Sequence, residues 1–312
     1  MSGPGILVVV PLPAATLAAL RSAYTVHYET DRPAERLAAR AGDTSIRAVV
    51  TNGSIGLDAA QIAGLPALEL VCATGAGYEN VDLAAARDRG IAVTHAPGAN
   101  DATVADHALA FMLALARGIP WLDRAVRAGA WQSSRDERPT LNGGRLGLLG
   151  LGQIGARIAA RAAAFDMTIG YHTRRPNAVP WRHCASLVDL ARASDFLVVA
   201  CPGGAATRHL VNREVLEALG PGGFLVNVAR GSVVDTAALV AALRERRIAG
   251  AGLDVIEGEP EVPADLVALD NVLFTPHVAG RSPAAVAAQG AALAANLATH
   301  FAGQPLPSPV PA

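Results

Sequence analysis

The sequence contains no lysine: all 26 of its basic residues are arginine. That absence excludes Schiff-base chemistry, a phosphate-binding Walker lysine and a lysine general base. Aromatic residues make up only 4% of the 312 positions and charged residues only 17%, and the net charge of -1 offers no global attraction to nucleic acid or to an anionic membrane. Cysteine is scarce. Cys72, Cys184 and Cys201 include no C-x-x-C pair, which fits a reduced cytoplasm, with each cysteine read as a small buried hydrophobe. No apolar run approaches the ~20 residues of a bilayer-spanning helix. Met1–Gly5 lacks a charged n-region, so no signal peptide and a cytoplasmic location are expected. His27, His95, His107, His172, His183, His209 and His300 show no metal-ligand spacing with cysteine or aspartate, and no metal site is expected.

What is present is apolar material, 51% of the chain. That is enough for sizeable cores, and the length suggests about two domains. The most informative stretch is Arg145-Leu-Gly-Leu-Leu-Gly-Leu-Gly-Gln-Ile-Gly-Ala-Arg157. A short apolar run turns on glycines and continues into an Ala/Arg-rich, helix-like segment. Gly150, Gly152 and Gly155 form G-x-G-x-x-G, with Gln153 and Ile154 between. Gly150 permits a tight turn, Gly152 lets backbone approach a pyrophosphate, and Gly155 lets helix and strand pack closely. N–H groups at the helix start would face the anion. Between a strand and a helix, with further βα units following, the motif predicts a dinucleotide site.

Read in order, the amino-terminal part holds apolar strands at Ile6–Val10, Tyr24–Tyr28, Arg47–Val50, Leu68–Ala73 and Ile91–Thr94, alternating with helices. This rhythm predicts a parallel sheet in a small flavodoxin-like domain. Asn100–Arg117 reads as a long helix linking two domains, with polar Asp106 and His107 near its start. Trp121 and Trp131 beyond it belong either to a core or to a subunit interface. Six further strands are expected at Leu146–Leu149, Thr168–His172, Phe196–Ala200, Phe224–Val228, Gly252–Val255 and Val272–Thr275, the number of a Rossmann sheet. A final helix from Pro283 to Ala302 is expected to return to the first domain. The fold class is therefore α/β: two Rossmann-like domains with a deep cleft between them. One is a flavodoxin-like substrate domain at 1–98 plus 283–312, the other a doubly wound dinucleotide-binding domain at 99–282.

Parallel sheets bind ligands beyond the carboxyl ends of their strands. Three late strands are followed there by Ala229-Arg230-Gly231, Glu257-Gly-Glu259-Pro260 and Pro276-His277. An arginine, a carboxylate and a histidine thus reach one edge of the sheet. The arginine fork suits a carboxylate or carbonyl. Histidine gives or takes the proton that accompanies a hydride, and a glutamate beside it favours the imidazolium.

The segments Leu225-Val-Asn-Val-Ala-Arg-Gly231, Gly252-Leu-Asp-Val-Ile-Glu-Gly-Glu-Pro260 and Thr275-Pro-His277 resemble the signatures of the D-isomer-specific 2-hydroxyacid dehydrogenases, closest to the glyoxylate/hydroxypyruvate reductases. The likeness extends to Thr74-Gly-Ala-Gly-Tyr-Glu-Asn-Val-Asp82 and to the tail His300-Phe-Ala-Gly-Gln-Pro-Leu306. It implies that Arg230 holds the substrate, His277 is the acid/base and Glu259 orients the histidine. It also implies that backbone N–H groups at Ala76 and Gly77 receive the substrate carboxylate, and that Asp254 faces the nicotinamide. The cofactor would lie along Cys201-Pro202 and Val228-Ala229. Formate dehydrogenases look similar but carry glutamine where this chain has Glu259, so formate oxidation is set aside.

The cofactor is expected to be NADPH rather than NADH. The strand after the glycine helix ends in Thr173-Arg174-Arg175, without the acid that would take the ribose hydroxyls of NAD. These residues suit a 2′-phosphate instead. Arg281, where the family usually has small residues, either adds a second anion contact or points to solvent. The expected activity is reduction of glyoxylate or hydroxypyruvate, and larger keto acids such as hydroxyphenylpyruvate are the alternative. A dinucleotide-sensing, corepressor-like binding protein is the rival from another class; it would be marked by loss of the catalytic set, which is intact here. Relatives imply a homodimer through the linking helix.

Overall fold

The structure, a computed structural model, describes residues 3–311. Its contacts divide the chain into two compact units, Met1–Asn100 with Arg281–Ala312, and Asp101–Gly280.

The first unit begins with β1 (Gly5–Val8), α1 (Ala14–Ala23), β2 (Thr25–Tyr28), α2 (Pro33–Ala39), β3 (Ile46–Thr51), α3 (Ala59–Gly64), β4 (Leu70–Ala73), α4 (Leu83–Asp88) and β5 (Ala92–Thr94). All pairings among these strands are parallel, in the order β2-β1-β3-β4-β5. This is the flavodoxin-like order expected from the strand–helix rhythm. β1 and β4 are buried along their whole length, so they read as continuous apolar runs, whereas the edge strand β2 is exposed or half-buried. Ile6, Val8 and Val10 pack with Leu20, while the alternate residues Leu7 and Val9 pack with Ile62 and Leu65 on the other face. Short helices start where side chains cap them: Asp58 and Gln61 form a reciprocal capping box on α3, and Asp82 accepts from Ala85 N–H on α4.

The second unit comprises α5 (Asp101–Arg117), α6 (Ile119–Arg127), β6 (Arg145–Leu149), α7 (Gln153–Ala163), β7 (Thr168–His172), β8 (Arg182–His183), α8 (Leu187–Arg192), β9 (Phe196–Val199), α9 (Arg213–Leu219), β10 (Phe224–Asn227), α10 (Thr236–Arg244), β11 (Gly250–Leu253), α11 (Ala264–Val267) and β12 (Val272–Phe274). The chain then re-enters the first unit with α12 (Pro283–Phe301), which packs on α1 and β4.

The second sheet runs β12-β11-β10-β9-β6-β7-β8, again all parallel. Its first strand, β6, lies inside the sheet. The chain builds outward through β7 and β8, then crosses back to β9, which creates a switch point between β6 and β9. Seven strands form where six were expected. The extra one, β8, has two polar residues and no apolar run, so nothing in its composition announces it. The strand expected at Gly252–Val255 starts two residues earlier. A Cβ at Gly252 would stand 2.8 Å from the Phe111 ring, and one at Gly250 would stand 3.5 Å from Leu115. Glycine thus makes room for α5 within a strand that an apolar-run criterion places too late.

α5 buries Val104, Ala105, Ala108, Phe111, Met112 and Leu115. No single helix among the described residues is long and apolar enough to cross a membrane. Trp121 packs against the core of the second unit, whereas Trp131 is 63% exposed, Ile119 54% and Val126 43%.

Candidate active site

At the switch point β6 turns directly into α7. Gly150 has φ +97°, and a Cβ there would stand 2.7 Å from the Cys201 nitrogen at the end of β9. A Cβ on Gly155 would stand 2.4 Å from the Gly150 carbonyl oxygen. Space above Gly152, in contrast, is open to 4 Å. The two outer glycines therefore bring strand and helix together, and the middle one leaves an accessible backbone cradle. No side chain caps the first turn of α7, and it holds no acidic residue. Its positive end and unclaimed N–H groups fit a pyrophosphate. Gln153 is exposed at the helix start, and Ile154 packs into the core.

β7 ends at His172, and the following turn is tied by Thr173 Oγ1 donating to the Arg175 carbonyl at 2.6 Å. Arg174 and Arg175 are exposed, and no described carboxylate pairs with either. Asn177 secures this turn to the glycine loop, donating from Nδ2 to the Leu151 carbonyl at 3.0 Å and from its backbone N–H to the Tyr171 hydroxyl at 2.9 Å. On the far side of the switch point, Cys201 is half-buried and Pro202 is exposed, while Val228 and Ala229 are buried at the end of β10.

Arg230, Glu259 and His277 follow β10, β11 and β12, three neighbouring strands. One close backbone packing and the side chain of Glu259 assemble them. A Cβ on Gly231 would lie 2.0 Å from the Ile256 carbonyl carbon, so the turn that carries Arg230 presses directly on the segment leading to Glu259. Glu259 Oε2 accepts from Ile256 N–H at 3.3 Å, and its Oε1 lies 2.6 Å from His277 Nδ1. Burial raises the Glu259 carboxyl. The hydrogen bond and charge of His277, the Ile256 N–H and the Arg230 charge outweigh it and hold the group below the ordinary carboxylate value. An ionised Glu259 is only an acceptor, so Nδ1 of His277 carries a proton, and Nε2 is the nitrogen left to exchange one. Of the two glutamates in this segment only Glu259 reaches the histidine. Glu257 is engaged by Arg208 Nη2 at 2.7 Å and His209 Nε2 at 2.9 Å.

Asp254 follows β11, and its carboxylate is buried and bonded to the loop that carries His277. Its side chain is 2% exposed. Oδ1 accepts from Thr275 Oγ1 at 2.6 Å and Val278 N–H at 2.8 Å, and Oδ2 from Ala279 N–H at 2.9 Å. The Asp254 backbone carbonyl accepts from His277 N–H at 2.8 Å. Residues 275–279 are thereby clamped, and His277 is held at φ +53°, a left-handed conformation that a non-glycine residue keeps only under such constraint. Asn227 does the same for the arginine, accepting from Ala229 N–H at 3.1 Å and donating to the Arg230 carbonyl at 3.0 Å. Sequence reasoning assigned no role to Asn227, Asn177 or Thr275. The one available signal was a polar residue interrupting or ending an apolar strand.

In the first unit, the loop after β4 carries Ala76 and Gly77. It is pinned by Ala96 N–H on the Gly75 carbonyl at 2.8 Å, and by His95 Nδ1 on the Ala76 carbonyl at 2.9 Å. Among the described residues nothing accepts from the N–H groups of Ala76 and Gly77. Arg281 is exposed.

This architecture has known counterparts. Residues 109–279 match the model of the D-isomer specific 2-hydroxyacid dehydrogenase NAD binding domain. A hydroxyphenylpyruvate reductase of Plectranthus scutellarioides is 41% identical over 99% of this chain and 100% of its own length. A glyoxylate/hydroxypyruvate reductase of Arabidopsis thaliana is 44% identical over 85% of the chain and 86% of its own. Among solved structures, the NADPH-dependent glyoxylate/hydroxypyruvate reductase of Sinorhizobium meliloti, in complex with NADP and malonate, superposes with a TM-score of 0.91. It is 38% identical, covering 99% of this chain and 97% of its own.

Proposed function

This chain belongs to the D-isomer-specific 2-hydroxyacid dehydrogenases, and we propose that it reduces short 2-keto acids, glyoxylate and hydroxypyruvate foremost, with NADPH. The observation that carries the reading is the 2.6 Å contact of Glu259 with His277, beside the turn that holds Arg230. In this reading the unit of 1–98 plus 283–312 is the substrate domain and 99–282 the NADP-binding domain.

The glycine cradle of 150–155 holds the pyrophosphate, Cys201, Pro202, Val228 and Ala229 line the rest of the dinucleotide path, and Arg174 and Arg175 take the 2′-phosphate, with Thr173 shaping their turn. When bound, NADPH supplies the hydride that adds to the keto carbon. The Arg230 guanidinium holds the substrate's carbonyl and carboxylate by charge-assisted hydrogen bonds. Ala76 and Gly77 N–H groups receive the carboxylate. The Nε2 proton of His277 passes to the carbonyl oxygen as it becomes a hydroxyl. Glu259 keeps the imidazolium favoured until that transfer and fixes the ring. Asp254 braces the histidine loop from the strand end that, as the family resemblance implies, faces the nicotinamide. Keto acid, NADPH and one proton give hydroxy acid and NADP+.

The reading extends to a cytoplasmic homodimer. The three unpaired cysteines suit a reducing compartment. Ile119, Val126 and Trp131 are large apolar side chains exposed on and just after α6, the segment such an interface would use.

The test is kcat/KM for glyoxylate, hydroxypyruvate and 4-hydroxyphenylpyruvate, each with NADPH and with NADH. The reading expects NADPH and the two short acids to lead, and Arg174→Asp to weaken NADPH use selectively. Comparable kcat/KM with both cofactors would remove the assignment of Arg174 and Arg175. A clear preference for 4-hydroxyphenylpyruvate would favour the second reading, which the full-length similarity to the Plectranthus enzyme supports.

A further inference from the structure

His107 lies on α5, far in sequence from the catalytic set, yet its Nε2 is 2.9 Å from Thr275 Oγ1. The direction of this bond follows from its neighbour. The Thr275 hydroxyl has one proton, and it is directed to the Asp254 carboxylate at 2.6 Å. Its oxygen must therefore accept from His107, so His107 carries hydrogen on Nε2. The ring is set edge-on against Phe111, one helical turn along, with centroids 4.8 Å apart. Next to it Asp106 turns outward to Arg161, with its side chain 68% exposed. His107 thus faces inward, to the buried carboxylate that clamps residues 275–279.

We propose that His107 is a positioning residue for His277, acting through Thr275 and Asp254. This inference rests on the reading of His277 as the acid/base. A hydroxyl with no donor on its far side is free to rotate away from Asp254, leaving a buried carboxylate with two donors in place of three. Thr275 and Val278 flank His277, and both bond to the same Asp254 oxygen. Loosening that clamp turns the His277 Cα–Cβ bond and moves its Nε2 relative to the oxygen it protonates. The effect falls on the chemical step, because the relay acts on the placement of His277 and neither His107 nor Thr275 is assigned a ligand contact.

The experiment compares His107→Leu, His107→Gln and Thr275→Val with the wild-type enzyme. It measures kcat and KM for glyoxylate and the Kd of NADPH by nicotinamide fluorescence, with His277→Ala alongside. His107→Leu and Thr275→Val should lower kcat about tenfold or more, as small misplacements of reacting groups do. KM and Kd should stay within about twofold, since no ligand contact is lost. Gln offers an amide Nε2 at the same reach and should restore most of kcat. Wild-type kcat in both His107→Leu and Thr275→Val, or no recovery with Gln, overturns the inference, as does a kcat loss matched by loss of NADPH affinity. If His277→Ala is inactive while His107→Leu is unimpaired, the inference fails and the functional reading stands. Turnover surviving in His277→Ala instead removes the reading and the inference together.

Discussion

Glu259 and His277 lie 18 residues apart in sequence and meet through a 2.6 Å contact between Oε1 and Nδ1. Two packed loops at the end of one parallel sheet bring them together. The depressed carboxyl of Glu259 means that it is ionised well below neutrality and does not titrate where the enzyme is assayed. Its charge is therefore a constant beside the histidine. Glu259→Gln keeps the geometry and removes that charge, so the imidazolium loses its stabilisation. Reduction should slow, while NADPH affinity, read by fluorescence, is unchanged. Comparison of kcat/KM for glyoxylate in the two proteins checks this, and equal values contradict it.

Arg230 is held by Asn227 and by the backbone contact at Gly231. Arg230→Lys keeps the charge and loses the planar fork. It should cost about 10²-fold or more in kcat/KM for glyoxylate, as loss of a preorganised donor does. NADPH affinity, read by fluorescence, should be unchanged.

Cys201 sits at the proposed cofactor path, but burial pushes its thiol up to about 11, and that of Cys72 up to about 12. Both are then protonated and poorly nucleophilic near neutral pH. The native enzyme should resist iodoacetamide and keep its activity while urea-unfolded protein labels fully, with mass spectrometry counting the adducts. Rapid labelling of Cys201 in the native protein would overturn this.

Arg145 and Asp195 join the starts of β6 and β9, with Nη2 2.5 Å from Oδ1. Hydrogen bonds from Arg145, opposed by burial, hold the Asp195 carboxyl below its ordinary value. A carboxyl lowered by folding stabilises the protein above its unfolded pKa of about 3.9, and the contribution is lost as pH falls through the folded value. The pair is partly exposed, so Asp195→Asn should cost about 1 kcal/mol or less at neutral pH. The difference in Tm between variant and wild type should shrink on acidification below pH ~4.

The strands most legible in the sequence, such as β1, β4, β9 and β10, are those buried along their whole length, because double burial writes a continuous apolar run. β8 writes none, and β11 is written partly in glycine because α5 takes the room of its side chains. The glycine turn was legible because its backbone leaves few residue choices. The order of Arg230, Glu259 and His277 along the chain was legible because each follows a strand. That Glu259 and not Glu257 meets the histidine depends on how the loop folds, and only the resemblance of Gly252–Pro260 to the family signature pointed to it. No local pattern encodes the buried contacts of Asp254. Asn227 braces only its own turn, whereas Thr275 and His107 act across pairs of elements up to 168 residues apart, and no spacing rule reaches that far.

The most direct measurement is the loss of reduced-nicotinamide absorbance when NADPH and glyoxylate are mixed with the purified enzyme or with His277→Ala. The account predicts steady turnover by the wild type and a loss of about 10²–10⁴-fold in kcat in the variant, the usual weight of a general acid, with NADPH still bound. Equal turnover by the two proteins would contradict it.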